Sequence, residues 1–535
     1  MTRLKLLGAM AALAALMAFA VWAGSPYEPV VAPAAEIEAV WAVEDTRMES
    51  EAPLVSLLHN HGRPLGYDAE SNTFYCPVAL DQGEEWPDIH LTAACNPDVR
   101  LMFVDDYAYD FCSDAVANGY SYEVMAYTDT EYAYFNIVFT GMMQIHLQAA
   151  GEFSEQYIPV EAVFSTDSAA VSTHGAAHYR GGVTMHAEKK AYRLKFTKNT
   201  DGTDRVALEV PGFGRVENLN LVPMMMDATR MRDHLAWDLY GLTHTDKDCY
   251  GVRKMAYAEV FVNDRYNGLY LVMEPFDHAA ELEKHAAGAA AIDCVYRTGR
   301  VVDDKDRPCK LGGMLEEYGY ELHYEPAGSK QFAAVDSFID LCTEESDEVF
   351  AERFSSVVDV DSMIDYFLHL QAYCMIDNVF NNMFTIAHYE NGAYKVSFAP
   401  WDMDMTMGTP GHPYDMWVYF PPMDRAIDLD VDGIREKVLE AWRVLRQNTL
   451  TAENVEILLN GYMHEVNDSG AAARDAARWN KKDEYLDGYG IMSFAADRFS
   501  MLDRVFEQIA QTEGRLEMLT YSDHEYKYGL IYGLE

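Results

Sequence analysis

The sequence predicts an α+β protein in which short strands dominate the first part of the chain and helices dominate the last part. From about residue 56 to 150, aromatic and β-branched runs alternate with turn residues at the spacing of an antiparallel β-sandwich. Residues 256 to 274 form two apolar runs separated by a turn, which indicates a hairpin. After Gly408, apolar residues recur at helical spacing over 433–447, 452–464 and 494–509. With 535 residues, the chain is long enough for two or three domains.

The N-terminus has the pattern of a secretory signal peptide. Two basic residues precede an apolar run from Leu6 to Trp22, and small residues follow it. We expect cleavage after Ala23, which would remove residues 1–23 and leave a Pro- and Ala-rich linker over 24–55. The protein would then be secreted or held at the cell surface. Because the apolar run is close to the minimum length of a membrane span, an uncleaved membrane anchor is the alternative.

Composition limits the partners that the protein can bind. The formal net charge is −45, so the surface repels nucleic acid and anionic lipids, and we expect no nucleic-acid partner. Clusters of basic residues are therefore more informative here than in a neutral protein. The eight cysteines are compatible with disulfides in an oxidising compartment and equally with free buried thiols. Neither the substrate protein nor the oligomeric state follows from composition.

The most specific motif begins at Asp377. Asn382 follows five residues later, and Asp402 and Asp404 come after a short apolar hairpin. An acid, an amide and a second acid in this order form the spacing with which kinase-like sites hold a hydroxyl and a metal-bound triphosphate. Because phosphoryl transfer needs a carboxylate that accepts the proton of the substrate hydroxyl, we expect Asp377 to act as the catalytic base. Since Mg²⁺ prefers hard oxygen donors, Asn382, Asp402 and Asp404 would bind Mg²⁺ or Mn²⁺.

Two other interpretations of these residues remain open. Asp377 and the asparagines after it could be turn and cap residues with no catalytic role. The run from Asp402 through Asp404 to Thr406 also fits the Asp-x-Asp-x-Thr signature of haloacid-dehalogenase-type phosphatases, with Asp402 as nucleophile. That fold requires alternating strands and helices after the motif, whereas only helical patterns follow here.

A basic strand is the candidate phosphate-binding element. From Tyr192 to Phe196, apolar and basic side chains alternate, which predicts a half-buried strand with a basic face. Lys190 falls on the apolar parity just before this strand, where it would point inward and need an anionic partner. Lys190 is therefore the first candidate for a phosphate contact, and Lys195 is the second. A solvated basic edge is the alternative.

Four blocks of sequence together resemble the CotH (spore coat protein H-like) kinase family. They follow the family order and cover about residues 178 to 410. The blocks are Tyr179–Gly182 with the strand Glu188–Phe196, Asn218–Pro223 with Asp227–Ala236, Phe261–Glu274, and Asp377–Gly408. Several motifs in order make this resemblance more specific than any one of them.

The resemblance implies an atypical protein kinase-like domain with two lobes, about 151–274 and 275–535, preceded by the sandwich-like accessory domain. It implies the use of ATP and a divalent metal to phosphorylate Ser or Thr on secreted or surface proteins. In this reading Arg180 joins the two lysines in binding the phosphates of ATP. Glu274 ends a buried strand that resembles the linker between kinase lobes, which puts adenine near Glu274.

The chain departs from the family pattern in the turn after Arg180. The family usually has a polar, Ser-containing turn there, whereas this chain has residues Gly182–His186 without serine. This departure favours the alternative of a catalytically inactive, nucleotide-binding scaffold for surface or coat assembly. The intact set of Asp377, Asn382 and Asp402 favours the enzyme.

Overall fold

A computed structural model describes most of the chain between residues 37 and 516. The described residues are 37–79, 89–94, 96–104, 119, 121–244, 251–276, 292–300, 307–308, 318–325, 332–379, 381–390, 393–409, 411–481 and 485–516. The predicted signal peptide lies outside them. The chain divides into two compact units. The barrel unit comprises the chain up to Pro223, Met255–Met273 and Met463–Leu486, and the helical unit comprises Met224–Lys254, Glu274–Tyr462 and the chain from Asp487 onward.

The first strands of the barrel unit form two sheets over one hydrophobic core. Helix α1 (Ile37–Glu44) is followed by β1 (Met48–Glu49), β2 (Leu58–Asn60), β3 (Arg63–Pro64), β4 (Gly66–Asp68), β5 (Thr73–Pro77), β6 (Leu91–Ala93), β7 (Arg100–Phe103), β8 (Ser121–Tyr127) and β9 (Glu131–Thr140). One sheet has the order β4-β5-β9-β8-β7 with β1 on β9, and the other has the order β3-β2-β6. Leu58 and Leu91 from the small sheet pack with Phe74 and Ile137 from the large one. Strands β1 and β5 run parallel to β9, so the pairing is mixed and not purely antiparallel.

The later half of the segment predicted as a linker is folded. Helix α1 buries Val40 and Val43 in a small cluster with Met125 of β8. The division of the chain into domains remains a prediction. The barrel described next begins at Met143, seven residues before the boundary that we placed at residue 150.

A closed barrel forms the centre of the barrel unit. Its strands are β10 (Met143–Ala149), β11 (Ile158–Ser165), β12 (Ala170–Arg180), β13 (Ala191–Thr197), β16 (Asn218–Val222), β17 (Met255–Val262) and β18 (Tyr266–Met273), and the hairpin β14 (Leu208–Val210) and β15 (Gly214–Val216) lies outside it. Closure occurs where β17 pairs in parallel with β10. The strand predicted from Tyr192 to Phe196 and the hairpin predicted over 256–274 are confirmed. In β13 the apolar side chains are buried in the barrel core, and the basic ones between them are half-buried.

The helical unit combines a sheet with packed helices. The sheet has the order β20 (Arg307–Pro308), β21 (Tyr318–Tyr324), β19 (Ile292–Arg300), β22 (Met383–Glu390) and β23 (Ala393–Pro400). The other α-helices within the described residues are α2 (Arg232–Thr243), α3 (Ala333–Thr343), α4 (Asp347–Val357), α5 (Val360–Tyr373), α6 (Pro421–Leu429), α7 (Ile434–Asn448), α8 (Ala452–Met463), α9 (Ala471–Arg478) and α10 (Tyr489–Gln511). Of these, α9 belongs to the barrel unit. Helices α3, α4 and α5 pack against β23.

The predicted α+β class is confirmed, and so are the three helices predicted after Gly408. They correspond to α7, α8 and α10, within a few residues at each end. The five-stranded sheet of the helical unit was not predicted, apart from the hairpin of β22 and β23. Among the described residues, strands end at Pro400 and only helices follow, which argues against the phosphatase fold. No described helix has the length and apolar character needed to cross a membrane.

Candidate active site

Asp377 lies on a short turn that buried hydrogen bonds hold in place. Helix α5 ends at Tyr373, its C-cap residue Cys374 adopts the left-handed conformation, and a single 3₁₀ turn, Ile376–Asn378, carries Asp377. The buried Asn378 side chain donates to the carbonyl oxygens of Asn382 (3.0 Å) and Trp401 (2.6 Å). These two contacts tie the turn to the start of β22 and the end of β23, so the backbone around Asp377 is pre-organised.

Two asparagines orient the Asp377 carboxylate. The Asn382 amide nitrogen donates to Asp377 Oδ2 at 2.8 Å, and the Asn381 amide nitrogen lies 3.3 Å from both carboxylate oxygens. Because a carboxylate only accepts hydrogen bonds, the NH₂ group of Asn382 must face Asp377. Its carbonyl oxygen, the atom that a metal ion would bind, is then outside this hydrogen bond. The structure therefore brings Asp377 and Asn382 together as the spacing predicted.

Two of the three predicted metal ligands, Asn382 and Asp402, have strained backbone conformations. Asn382 and Asp402 have φ values of +49° and +54°, in the left-handed region that residues other than glycine rarely adopt. Asn382 and Asp402 lie close together, because the N–H of Trp401, the residue before Asp402, donates to Asn382 O at 2.9 Å. Asp402 is exposed and Asp404 is half-buried. Strain of this kind concentrates at functional sites, where the surrounding structure compensates for it.

The structure adds two aspartates that the sequence analysis did not select. Asp233, buried in the first turn of α2, accepts a hydrogen bond from Met403 N–H at 3.1 Å, between the two predicted ligands Asp402 and Asp404. Burial, followed by the charge of Asp402, raises the pKa of Asp233 to about 7. Asp227 is buried just before the same helix.

Asp227 organises the start of α2. It accepts hydrogen bonds from the backbone N–H groups of Met231 and Arg232, both at 2.9 Å, and pairs with the Arg232 guanidinium at 2.5 Å. An acid at a helix N-terminus satisfies orphan amides and interacts favourably with the helix dipole. Asp227 and Asp233 lie in the block Asp227–Ala236, which resembles the family. This resemblance was the feature of the sequence that could have identified the two aspartates as candidate site residues.

Five aspartates act on one another electrostatically. Burial, followed by the charges of Asp402, Asp233, Asp227 and Asp377 in that order, raises the pKa of Asp404 to about 9. Carboxylates at such close quarters cannot all ionise unless a cation neutralises them. Their oxygens are the hard donors that divalent metal ions prefer. The chemistry of this donor set therefore fits Mg²⁺ or Mn²⁺.

The predicted phosphate ligands Arg180, Lys190 and Lys195 belong to the barrel unit. Arg180 is the last residue of β12, and Lys195 is half-buried in β13 with its ammonium 3.9 Å from the centre of the Tyr157 ring. Lys190 is also half-buried, and its Nζ donates to Met185 O at 2.8 Å. None of the three is fully buried.

The inward-facing lysine is Lys189 and not Lys190. Its side chain is fully buried, donates to Leu269 O and pairs with Asp475 of α9 at 2.7 Å. Strand β13 begins only at Ala191, so the parity of the strand does not extend back to Lys190. Lys190 instead remains half-exposed, with ammonium hydrogens left for other acceptors.

An open cleft lies beside Lys190. Its volume is about 370 Å³, and its lining includes Ser154, Glu155, Gln156, Tyr179 and Met185. The Lys190 ammonium contacts two of these residues, because it bonds to the Met185 carbonyl and lies 5.8 Å from the Tyr179 ring centre. A predicted phosphate ligand, Lys190, therefore contacts the lining of this cleft directly.

Glu274 is half-buried at the point where the chain passes into the helical unit. Its side chain accepts from Lys254 N–H at 3.1 Å, and its own N–H donates to Lys254 O at 3.2 Å. The neighbouring Phe276 stacks on Phe384, with ring centres 3.9 Å apart. One carboxylate oxygen and the N–H of Glu274 are thus bonded to the backbone of Lys254.

The oriented aspartate, the adjacent amide and the surrounding acids define a kinase-like protein. In agreement, residues 177–507 match the family model described as CotH kinase protein, which covers more than half of the chain and every residue predicted for the site. The protein belongs to the CotH kinase family. A search of curated proteins finds no match.

Proposed function

We propose that the protein is a secreted or surface kinase that transfers the γ-phosphate of ATP to Ser or Thr of an extracytoplasmic protein. Family membership supports a kinase-like activity. The observation that carries the proposal is the Asp377 carboxylate, oriented by Asn382 at 2.8 Å, in a group of aspartates in which burial and neighbouring charges raise the pKa of Asp233 and Asp404. Such a group needs divalent cations, and phosphoryl transfer needs both the cations and an oriented base.

The roles follow from the chemistry of each side chain. Asp377 would accept the proton of the substrate hydroxyl, because two amide groups hold it in one orientation. Asn382 and Asp402 would bind Mg²⁺ or Mn²⁺ through oxygen atoms, with Asp404 as a further ligand. Asp233 would position the loop between Asp402 and Asp404 through its bond to Met403 N–H. The metal supplies charge neutralisation for the triphosphate.

ATP would be held by cations of the barrel unit. Lys190 is the strongest candidate for a phosphate contact, since its ammonium donates to the carbonyl of Met185, which lines the cleft of about 370 Å³. Arg180 and Lys195 would add phosphate contacts, and the backbone at Glu274 would contact adenine. In this proposal about residues 151–274 form the N-lobe and about residues 275–535 form the C-lobe of a two-lobed kinase.

Export of the protein rests on the sequence. The pattern of residues 1–23 supports secretion, and the net charge of −45 suits a soluble extracytoplasmic protein that acts on neutral or basic substrates. The charge also disfavours nucleic acid as a partner. An uncleaved segment would instead anchor the protein to a membrane.

The test is incorporation of labelled γ-phosphate from ATP, with Mg²⁺ or Mn²⁺, by the protein lacking residues 1–23. Asp377→Ala should abolish transfer while ATP binding persists, whereas Asp402→Ala should weaken metal-dependent ATP binding itself. Asp361→Ala is the matched control, because Asp361 is exposed on α5, outside the aspartate group. If both site variants lose binding and transfer equally while still folded, the division of roles is wrong.

A second candidate is the inactive nucleotide-binding scaffold. The turn after Arg180 favours it, because the Thr184 hydroxyl, the polar group that could replace the family's serine, donates to Arg180 O at 3.0 Å. This bond closes the turn locally. ATP binding that depends on metal, without transfer to any protein and without an effect of Asp377→Ala, would favour the scaffold.

A further inference from the structure

A second group of ligand-type side chains lies in the helical unit, outside the set of aspartates. His244 is the C-cap residue of α2, and Asp365 and His369 lie one turn apart on the same face of α5. The geometry points to a binding site for a transition-metal ion of the Zn²⁺ class, formed by His244, Asp365 and His369. This site does not depend on the proposed kinase activity.

The tautomer of His244 makes it a metal ligand. Its Nδ1 lies 2.6 Å from Tyr240 O, and because a carbonyl oxygen only accepts, Nδ1 carries the hydrogen. In the neutral ring Nε2 then presents a lone pair, 2.9 Å from Asp365 Oδ2. A lone pair facing a carboxylate oxygen is repulsive unless a cation lies between them or the ring is protonated. A metal ion would satisfy both atoms.

His369 has the same arrangement. Its Nδ1 lies 2.8 Å from Asp365 O and must donate to it, which leaves Nε2 as the nitrogen with the lone pair. Nε2 lies 3.5 Å from the hydroxyl oxygen of Thr243, so it faces the end of α2 that carries His244. Metal-binding histidines typically donate their other N–H to a carbonyl or carboxylate, which fixes the ring. Both histidines meet this requirement.

The burial and spacing of the group suit a transition metal. The two histidine side chains are 2% and 1% exposed, and that of Asp365 is 26% exposed, so both imidazoles are shielded from solvent while the carboxylate is partly accessible. One potential ligand atom from each residue lies within 4.8 Å of the others. Tetrahedral ligands at about 2.0–2.1 Å from Zn²⁺ lie about 3.4 Å from one another. Binding would therefore open the His244–Asp365 pair, now at 2.9 Å, by about 0.5 Å and close the widest spacing by up to about 1.4 Å.

The ligand types distinguish this site from the aspartate group. Two imidazoles and a carboxylate favour Zn²⁺ and related transition metals, whereas carboxylate and amide oxygens favour Mg²⁺ and Mn²⁺. The metal would join the C-terminal end of α2 to the middle of α5. Asp233 lies in the first turn of α2, and the turn carrying Asp377 follows α5. A bound ion would therefore stiffen the two helices that position the aspartates.

The test uses the full chain, stripped with a chelator and then loaded with Co²⁺ in excess Mg²⁺. A site with two histidines and a carboxylate gives four-coordinate Co²⁺ with intense visible absorption, whereas an all-oxygen octahedral site absorbs weakly. We expect about one intensely absorbing Co²⁺ per chain, displaced by Zn²⁺, and a Zn²⁺-dependent rise in unfolding temperature.

Asp365→Asn and His369→Gln should each remove the absorption and the thermal shift. Asp365→Asn is the variant more certain to fold, because Asp365 is partly exposed. His464→Gln is the matched control, since His464 and Asp468 form an exposed pair at the same helical spacing, and neither belongs to the group of His244, Asp365 and His369. Weak absorption in the wild type, or intense absorption that survives both variants, would overturn the proposal. A protonated His244 paired with Asp365 would then explain the geometry.

Discussion

Replacing Asp404 by asparagine should stabilise the metal-free protein at neutral pH. Burial and then the neighbouring carboxylates raise the pKa of Asp404 from 3.8 to about 9. The folded state therefore retains a proton that the unfolded chain has already released, so stability is lost as the pH rises above about 4. An amide of the same shape has no charge to desolvate and no repulsion from its neighbours. The advantage of asparagine should grow between pH 4 and pH 9.

The size of the effect follows from the linkage. Each unit of difference in pKa is worth about 1.4 kcal/mol when fully expressed. Because the Asp404 side chain is only half-buried, solvent screens part of the repulsion, and we expect a gain on the order of 1–2 kcal/mol at pH 7. At pH 3, where both states are largely protonated, the gain should be close to zero.

Urea unfolding of the full chain in the presence of a chelator, at pH 5 and pH 7, measures this gain. Mg²⁺ at a hundred times its Kd should then stabilise the wild type by about 2.7 kcal/mol and the Asp404→Asn variant by less. Asp129→Asn is the control, because Asp129 forms an exposed pair with Arg100 and its loss should cost no more than about 1 kcal/mol. The reasoning is refuted if Asp404→Asn lowers the free energy of unfolding at pH 7, or if Mg²⁺ stabilises both proteins equally.

Two further changes test the fold around the site. Asp475→Ala should lower the free energy of unfolding by about 3–5 kcal/mol, because it leaves the Lys189 ammonium buried without its carboxylate, and Lys189→Met in the same chain should recover much of the loss. A double-mutant cycle that shows simple additivity would contradict this. Gly408→Ala should cost about 1–3 kcal/mol in chemical unfolding, since the added Cβ would lie 2.8 Å from Phe494. Gly411→Ala, which has positive φ but open space around it, should cost less, and an equal cost would exclude the contact as the cause.

The part of the candidate site that the sequence predicted is local in the chain. Asp377, Asn382, Asp402 and Asp404 fall within one turn–hairpin–loop segment. In the structure the hairpin pairs Met383 with Pro400, so the residues just before and just after it are neighbours. A hairpin brings its two ends together whatever the rest of the fold does. Spacing alone was therefore enough to group these four residues.

Asp233 was missed because its contact with the site spans 170 residues of sequence. Nothing in its local pattern distinguishes an acid that caps or starts a helix from one that faces a metal site. Lys189 was confused with Lys190 for a related reason. Its partner Asp475 is 286 residues away in the sequence. Strand β13 begins only at Ala191, so the alternation of buried and exposed side chains along the strand does not predict which of the two preceding lysines points inward.

By itself, the sequence determined the α+β class, the central strands and hairpins, the late helices and the order of the acid–amide–acid motif. These features depend on periodicity, turn residues and spacing, whose physical effects act over a few residues. Only the tertiary structure decided which lysine is buried, that β17 closes the barrel on β10, and that Asp233 and Asp227 join the other aspartates. Burial and mutual repulsion depend on which distant segments meet, and that is a property of the packed chain.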